Sequence, residues 1–154
     1  MTKKKDDSSK VKKIALLVGS LSKTSLSQSL AKYLIATAPE TLTFEIIDIG
    51  SLSLYNEDLD ESPPASWTQF RRKLKNFDGF LFVTPEINNS MPAALKNAID
   101  IASRPFGENV FDSKPGAIVS IYSNPANLAG AGPHLRQSLI FFKSSNHATT
   151  RGQY

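Results

Sequence analysis

The most informative segment of the chain for its architecture is GFLFVTPEINNSMPAALKNAID, residues 79–100. It opens with an apolar run, Gly79 to Val83, and closes with Leu95, Ala98 and Ile99 at helical spacing. Between them lie two prolines, a lone Glu86 and the polar trio Asn88-Asn89-Ser90. A buried strand, a shaped polar turn and a helix in succession are typical of α/β domains, in which such turns line the ligand-binding edge of the sheet.

Three similar strand-like runs accompany this one along the chain. The four runs begin at intervals of 30 to 37 residues and span Ile14–Val18, Phe44–Asp48, Phe80–Thr84 and Ala117–Tyr122. Three of them are almost wholly apolar, as strands of a parallel sheet are when helices cover both faces. Strand and helix in alternation predict a doubly wound α/β sheet.

Helical patterns fill the intervals between the strands. The first pattern carries Leu26, Leu30, Tyr33, Leu34 and Thr37, and the fourth carries Leu135, Leu139 and Phe142. Trp67, Phe70, Leu74 and Phe77 mark the second, with Ser66 and Gln69 in the spacing of a capping box. The third is predicted to begin near Ser90, with Pro92 in its first turn, where a missing amide hydrogen has no consequence.

The 154 residues point to one domain. Residues 1–13 hold six lysines against two aspartates and are predicted to form a disordered basic tail. Residues 14–143 form the predicted domain, and residues 144–154 are predicted to be a polar tail outside it, since the last 12 residues, KSSNHATTRGQY (143–154), show neither helical nor strand periodicity. Either the sheet stops at four strands, without a fifth strand and last helix, or the chain is a shortened form of a longer one.

Charge and composition narrow the functional classes. From Ile14 onward, 12 Lys plus Arg balance 12 Asp plus Glu, so the net charge of +4 belongs to the tail and does not predict nucleic-acid binding. The cluster RRKLK, residues 71–75, alternates with apolar residues and favours a solvated helix face. The absence of cysteine excludes disulfides and thiolate chemistry. No run is long and apolar enough to cross a membrane, and a cytoplasmic protein is expected.

The loop after the first strand suits a phosphate. GSLSKTSLSQS, residues 19–29, places five serines and a threonine at the start of a helix, where amide hydrogens are unpaired. The alternative is that the serines merely cap the helix. Neither a P-loop nor G-x-G-x-x-G is present, and Asp48 at the end of the second strand is therefore interpreted as a loop cap.

The turns after the third and fourth strands suit a planar ring. Pro85 stiffens the exit from the third strand, and Asn88, Asn89 and Ser90 bring polar groups to the rim. SNPANLAGAG, residues 123–132, is a loop of small residues long enough to fold over a flat heterocycle. A phosphate loop beside two ring-contacting loops predicts a mononucleotide site, which flavin mononucleotide (FMN) fits well.

These segments resemble the NADPH-dependent FMN reductase family. The likeness rests on LVGSLSKTSLSQSLAKYL, LYNEDLD, TPEINNSMPAALKNAIDIASRP and GAGPHLRQSLIFF, of which the third is the most specific. The resemblance implies a flavodoxin-like fold. It also implies an FMN phosphate held by Ser20, Ser25, Leu26 and Ser27, an isoalloxazine and ribityl chain lined by Pro85, Glu86, Ile87 and Asn88, and closure by Ser123.

The chain departs from the family at Ser22, where members commonly have Arg, and at Ile87, where they commonly have Tyr. Ser22 is kept among the predicted phosphate-loop residues. The family also implies hydride transfer from NADPH through flavin to a small-molecule acceptor such as a quinone, azo compound or free flavin. It further implies a homodimer or homotetramer packed through helices, with Leu95 to Arg104 as a candidate surface.

Two alternatives to a reductase remain open, namely a non-enzymatic flavodoxin-type electron carrier and a truncated, inactive relative. For Glu86, anchoring of the turn's amides or of a partner helix is favoured over general-acid chemistry. His134 and His147 lack partners at metal-ligand spacing. Asn97 and Asp100 are predicted on a solvated or subunit-contacting face.

Overall fold

The computed structural model describes residues 10–122 and 130–140, and the backbone of residues 147–153. Strands and helices alternate along these residues, as the spacing of the apolar runs predicts. The strands are β1 (Lys12–Val18), β2 (Leu42–Ile47), β3 (Gly79–Pro85), β4 (Gly116–Tyr122) and β5 (His147–Gln153). The α-helices are α1 (Leu26–Ala36), α2 (Ala65–Lys75), α3 (Ala93–Ala102) and α4 (Ala131–Ile140), with a short 3-10 helix at Glu57–Leu59.

The five strands form one sheet in the order β2-β1-β3-β4-β5, and every neighbouring pair is parallel. This order is that of the flavodoxin-like doubly wound fold, so the predicted fold class is confirmed. The strand order reverses beside β1, which places the carboxyl ends of β1 and β3 next to each other. Ligands of such sheets bind at that edge.

The fifth strand corrects the expectation that the sheet stops at four strands. Residues 147–153, assigned from sequence to a polar tail, pair in parallel with β4 from His147 opposite Gly116 to Gln153 opposite Tyr122. Backbone hydrogen bonds make this ladder, so a polar, proline-free sequence can occupy an edge position that is paired on one side only. At the other end, Lys12 and Lys13 belong to β1 and not to the tail.

Two helix starts also differ from prediction. Pro64 is the N-cap of α2 and no side chain caps that helix, so the predicted capping box is wrong because Ser66 already lies inside the helix. Pro92 is the N-cap of α3, two residues beyond Ser90. The helix cannot start at Ser90, because Ile87 and Ser90 exchange two backbone hydrogen bonds that close a turn.

Successive strand residues alternate between two apolar cores. The three-helix core lies between the sheet and helices α2, α3 and α4. It contains Leu17, Phe82 and Ile118 from the strands and Trp67, Leu95 and Leu135 from the helices. The one-helix core lies on the opposite face under α1 and contains Leu16, Val18, Ala31, Val83 and Ile121. The carboxyl ends of β1, β3 and β4 are thereby held rigidly at one edge.

Candidate active site

The loop after β1 is organised by serine hydroxyls. Ser25 is the N-cap of α1, and its Oγ accepts the amide hydrogen of Gln28 at 3.2 Å. The Gln28 side chain donates back to the Ser20 carbonyl at 3.2 Å, and the Ser22 amide donates to Ser20 Oγ at 3.3 Å. These bonds close the loop on the first turn of α1. The predicted helix-capping role of a serine is therefore real, and Ser25 fills it.

One capping serine leaves other donors of this loop available. The amides of Leu26 and Ser27 lie in the first turn of α1, where an α-helix offers no acceptor of its own. The Ser27 side chain is buried, and its hydroxyl has no partner among the described residues. First-turn amides and the positive end of the helix dipole are the elements that bind a phosphate.

Gly19 brings this loop against the end of β3. Its amide donates to the Val83 carbonyl at 2.8 Å. A Cβ added at Gly19 would lie only 2.7 Å from Thr84 Oγ1, and Thr84 is fully buried. Glycine is therefore required here by close approach, and this approach places the serine loop beside the turn that follows β3.

The turn after β3 is a tight reversal at Ile87–Ser90. Asn88 and Asn89, its two central residues, both have positive φ, 50° and 58°. Asparagine tolerates this left-handed conformation better than other side-chain-bearing residues, which explains the Asn-Asn pair in physical terms. Ile87 is half exposed at 52% and stands at the rim of the sheet.

Glu86 and Ser90 join this turn to α4. Glu86 Oε2 accepts the amide hydrogen of Ala131, the first residue of α4, at 3.3 Å. Ser90 Oγ and His134 Nδ1 lie 3.1 Å apart. The interpretation of Glu86 as an anchor for a helix is therefore confirmed, while the contact of His134 with Ser90 carries no sequence signal that would have predicted it.

Two sets of predicted site residues thus lie at one edge of the sheet, and they meet where Gly19 approaches Thr84. The residues predicted to hold the phosphate are Ser20, Ser22, Ser25, Leu26 and Ser27. Those predicted to line the ring are Pro85, Glu86, Ile87 and Asn88. Ser123 lies outside the described residues, and its predicted role remains a prediction. Among the described residues, no group of three or more His, Asp or Glu could hold a metal ion.

Asn97 differs from its prediction. It is buried, at 8% exposure, and its side chain accepts the Tyr55 amide hydrogen at 2.8 Å and donates to the Ser53 carbonyl at 3.0 Å. It therefore fixes the segment after β2 against α3, and helical position alone did not reveal this long-range role. Asp100 is paired on the helix surface with Lys96.

Tyr55, held by Asn97, extends this polar network. Its hydroxyl donates to Asp60 Oδ2 at 2.9 Å, and its ring packs against that of Trp67 with 5.6 Å between the ring centres. Burial, followed by the bond to Asp60, raises the pKa of Tyr55 above its usual 10.0. The network joins the segment after β2 to helices α2 and α3.

Two smaller interpretations are settled by side-chain contacts. Asp48 Oδ1 accepts the Gly50 amide hydrogen at 2.9 Å, which confirms it as a loop cap. In the basic cluster, Arg72, Lys73 and Lys75 are exposed, as expected of a solvated face. Arg71 is the exception, because it is buried and donates to the Arg104 carbonyl at 3.1 Å.

Comparison with known proteins identifies the family. The model of the NADPH-dependent FMN reductases matches residues 12–152. The chain belongs to the NADPH-dependent FMN reductase family. It is accordingly an FMN-dependent NAD(P)H oxidoreductase. The match extends to residue 152 in β5, so most of the segment that looked foreign to the family in sequence lies within the family's range.

Individual relatives agree with this assignment. A quinone reductase of Pseudomonas putida is 46% identical over 134 residues, which cover 86% of this chain and 72% of the relative. A 2-hydroxy-1,4-benzoquinone reductase of a Burkholderia species is 45% identical over 124 residues, covering 80% of this chain and 68% of the relative. FerB, a flavoenzyme NAD(P)H:(acceptor) oxidoreductase of Paracoccus denitrificans, superimposes with a TM-score of 0.78 at 36% identity, covering 92% and 75% of the two chains.

The residues of this reductase fit FMN. The first turn of α1 offers amides and a positive helix end for the phosphate, and Gly19 leaves no side chain between this loop and the turn after β3. The turn itself presents its backbone at the rim of the sheet. Bound FMN supplies the transfer of a hydride from NAD(P)H to an acceptor, and the protein's part is to hold and orient the reactants.

Proposed function

We propose that the serine loop after β1 binds the FMN phosphate, that Pro85 to Asn88 contact the isoalloxazine and ribityl chain, and that a quinone is the preferred electron acceptor. The observation that carries the site is the contact of Gly19 with Thr84, which sets the phosphate loop beside the turn. The quinone is supported by the names of two relatives, one of which acts on 2-hydroxy-1,4-benzoquinone.

In this proposal the chain performs positioning and not proton transfer. Ser25 keeps the start of α1 formed, so that the Leu26 and Ser27 amides are presented together. The Asn88–Asn89 turn fixes the backbone that faces the ring. Holding two reactants in a productive geometry contributes much of the rate of such reactions, and no described side chain is required as an acid or base.

The phosphate assignment is tested by comparing FMN with riboflavin, which lacks the phosphate. Wild type is expected to bind FMN at least about a hundredfold more tightly than riboflavin. Ser27→Ala removes the buried hydroxyl that has no partner among the described residues, and is expected to narrow that ratio about tenfold. Ser29→Ala, further along α1, is the matched control and leaves the ratio unchanged. Equal affinities of wild type for both flavins would reject the phosphate site.

The acceptor is tested by following NADPH absorbance with a benzoquinone, an azo dye and free flavin in turn. The proposal expects kcat/KM to be highest for the quinone. A protein that binds FMN but oxidises NADPH with none of the three would instead be an electron carrier, and one that binds no FMN would be the inactive relative considered above.

The oligomeric state is a further part of the proposal. We infer a homodimer or homotetramer, with the outer surface of α3 at the interface. Because Leu95 and Ile99 are buried in the core, that surface consists of polar residues such as Lys96 and Asp100, followed by the 91%-exposed Phe106. Sedimentation velocity of wild type and Phe106→Ser tests this, and an unchanged oligomer would exclude Phe106 from the interface. A cytoplasmic location remains a prediction, and no described helix is long and apolar enough to span a membrane.

A further inference from the structure

We propose that Glu86, at the end of β3, is a positioning residue that caps the start of α4. FMN affinity then depends on this contact, for which Gly130 leaves the necessary space. The proposal rests on the proposed function, since the ring is taken to lie against the turn that begins at Glu86. It goes beyond the family assignment because it concerns how two elements of the site are held together.

Glu86 directly follows β3, and its amide donates to the Ile121 carbonyl of β4 at 3.0 Å. The backbone of the residue is thus fixed by the sheet. Its side chain extends to α4, where Oε2 accepts the Ala131 amide hydrogen at 3.3 Å. The second oxygen, Oε1, is buried and has no partner among the described residues. The positive end of a helix is a favourable position for a carboxylate.

The start of α4 is shaped to receive this carboxylate. Gly130 precedes the helix, and its carbonyl accepts the amide hydrogen of His134 at 3.4 Å, so it occupies the capping position. Glycine has no side chain with which to cap the first-turn amides. A Cβ at this position would collide with Glu86 Oε2. Glu86, 44 positions before Gly130, therefore supplies the cap that Gly130 lacks. Any side chain at position 130 would displace the Glu86 carboxylate.

A second contact makes the connection a clamp. Ser90, at the far end of the turn, lies 3.1 Å from His134 Nδ1, one turn further along α4. The tight turn Ile87–Ser90, with its two positive-φ asparagines, is therefore tied to α4 on both sides. Glu86 holds one end of the turn against α4, and Ser90 holds the other end.

The test compares Glu86→Ala, Glu86→Gln and Gly130→Ala with wild type. In protein without FMN, amide hydrogen exchange at Ala131 and Gly132 reports the cap, and FMN titration reports the consequence for the site. Glu86→Ala is expected to accelerate exchange about tenfold and to weaken FMN binding about tenfold. Glu86→Gln keeps an acceptor oxygen and is expected to restore both within about threefold.

Gly130→Ala supplies the decisive comparison. In wild type it is expected to reproduce the effects of Glu86→Ala, because the added methyl displaces the carboxylate. In the Glu86→Ala background it is expected to add little, since the clash is gone; a double-mutant cycle measures this coupling. Additive effects of the two substitutions, or unchanged amide exchange in Glu86→Ala, would contradict the capping role of Glu86.

The two hypotheses fail in distinguishable ways. Faster exchange with unaltered FMN affinity would overturn the positioning role while leaving the flavin site standing. Wild type that binds no FMN would overturn the proposed function and the flavin half of this proposal, and the exchange measurements, made without flavin, would still decide the cap.

Discussion

In the part of the chain that the structure describes, three helices pack on one face of the sheet and one helix packs on the other. Among the described residues, twenty buried side chains form the three-helix core and five form the one-helix core. The first core includes the aromatic contact of Phe80 with Phe111, at 4.9 Å between ring centres, and is bordered by the Asn97–Tyr55 network. The second is surrounded by half-buried residues such as Leu30, Leu81 and Val119.

The two parts of the proposed site therefore rest on layers of different depth. The three-helix core anchors the backbone of β1, β3 and β4, whose carboxyl ends carry the candidate site residues. Helix α1, which follows the serine loop, lies on the thinner side, with Leu26 and Tyr33 exposed at 62% and 63%. The serine loop is thus attached to the less deeply buried layer, and the turn after β3 to the sheet and to α4.

The largest expected effect comes from substituting two adjacent residues that face opposite sides of the sheet. Leu16 and Leu17 are adjacent in β1, both fully buried, and point into opposite cores. Leu17→Ala is expected to lower the free energy of unfolding by about 4–5 kcal/mol and Leu16→Ala by about 3 kcal/mol, because a cavity under a single helix relaxes more easily. Urea denaturation of both variants measures the difference. A greater loss for Leu16→Ala would contradict the assigned asymmetry.

A smaller effect is expected at Asn97, whose network is on the three-helix side. Asn97→Ala removes the partners of the Tyr55 amide and the Ser53 carbonyl, and should lower the free energy of unfolding by about 1–3 kcal/mol. Asp100→Ala, on the same helix, removes only the surface pair with Lys96 and serves as the control, at less than about 0.5 kcal/mol. Equal losses would show that the network contributes no more than a surface ion pair.

The smallest effect concerns pH. The pKa of Tyr55 is higher in the folded chain than its usual 10.0, so the folded state favours the protonated hydroxyl. The resulting stabilisation is complete below pH 10, the unfolded value, and is lost as pH rises through the folded pKa. Tyr55→Phe should remove the part of the stability loss at alkaline pH that is due to Tyr55. Melting temperatures of both proteins from pH 8 to 11 test it, and parallel curves would mean that Tyr55 contributes nothing to it.

Much of the fold could be predicted because it depends on patterns of burial. The apolar runs and helical spacings placed four strands and four helices, and β1 to β4 lie within two residues of their predicted bounds at each end. The fifth strand was missed because an edge strand made by backbone pairing needs no apolar pattern. The helix starts at Ala65 and Ala93 were missed because proline acts there as the N-cap, which the capping-box spacing does not anticipate.

For the site, the sequence determined the residue types that a phosphate and a planar ring require, and it placed them after β1 and β3, since strand order alone assigns those loops to one edge of the sheet. The use of Ser25 by its own helix is a local contact that the sequence already suggested. The folded chain was needed to show that Glu86 is bound to α4 and Asn97 to a loop more than 40 residues away. These two pairings join residues distant along the chain, and a hydrogen bond depends on ångström-scale placement that periodicity does not encode.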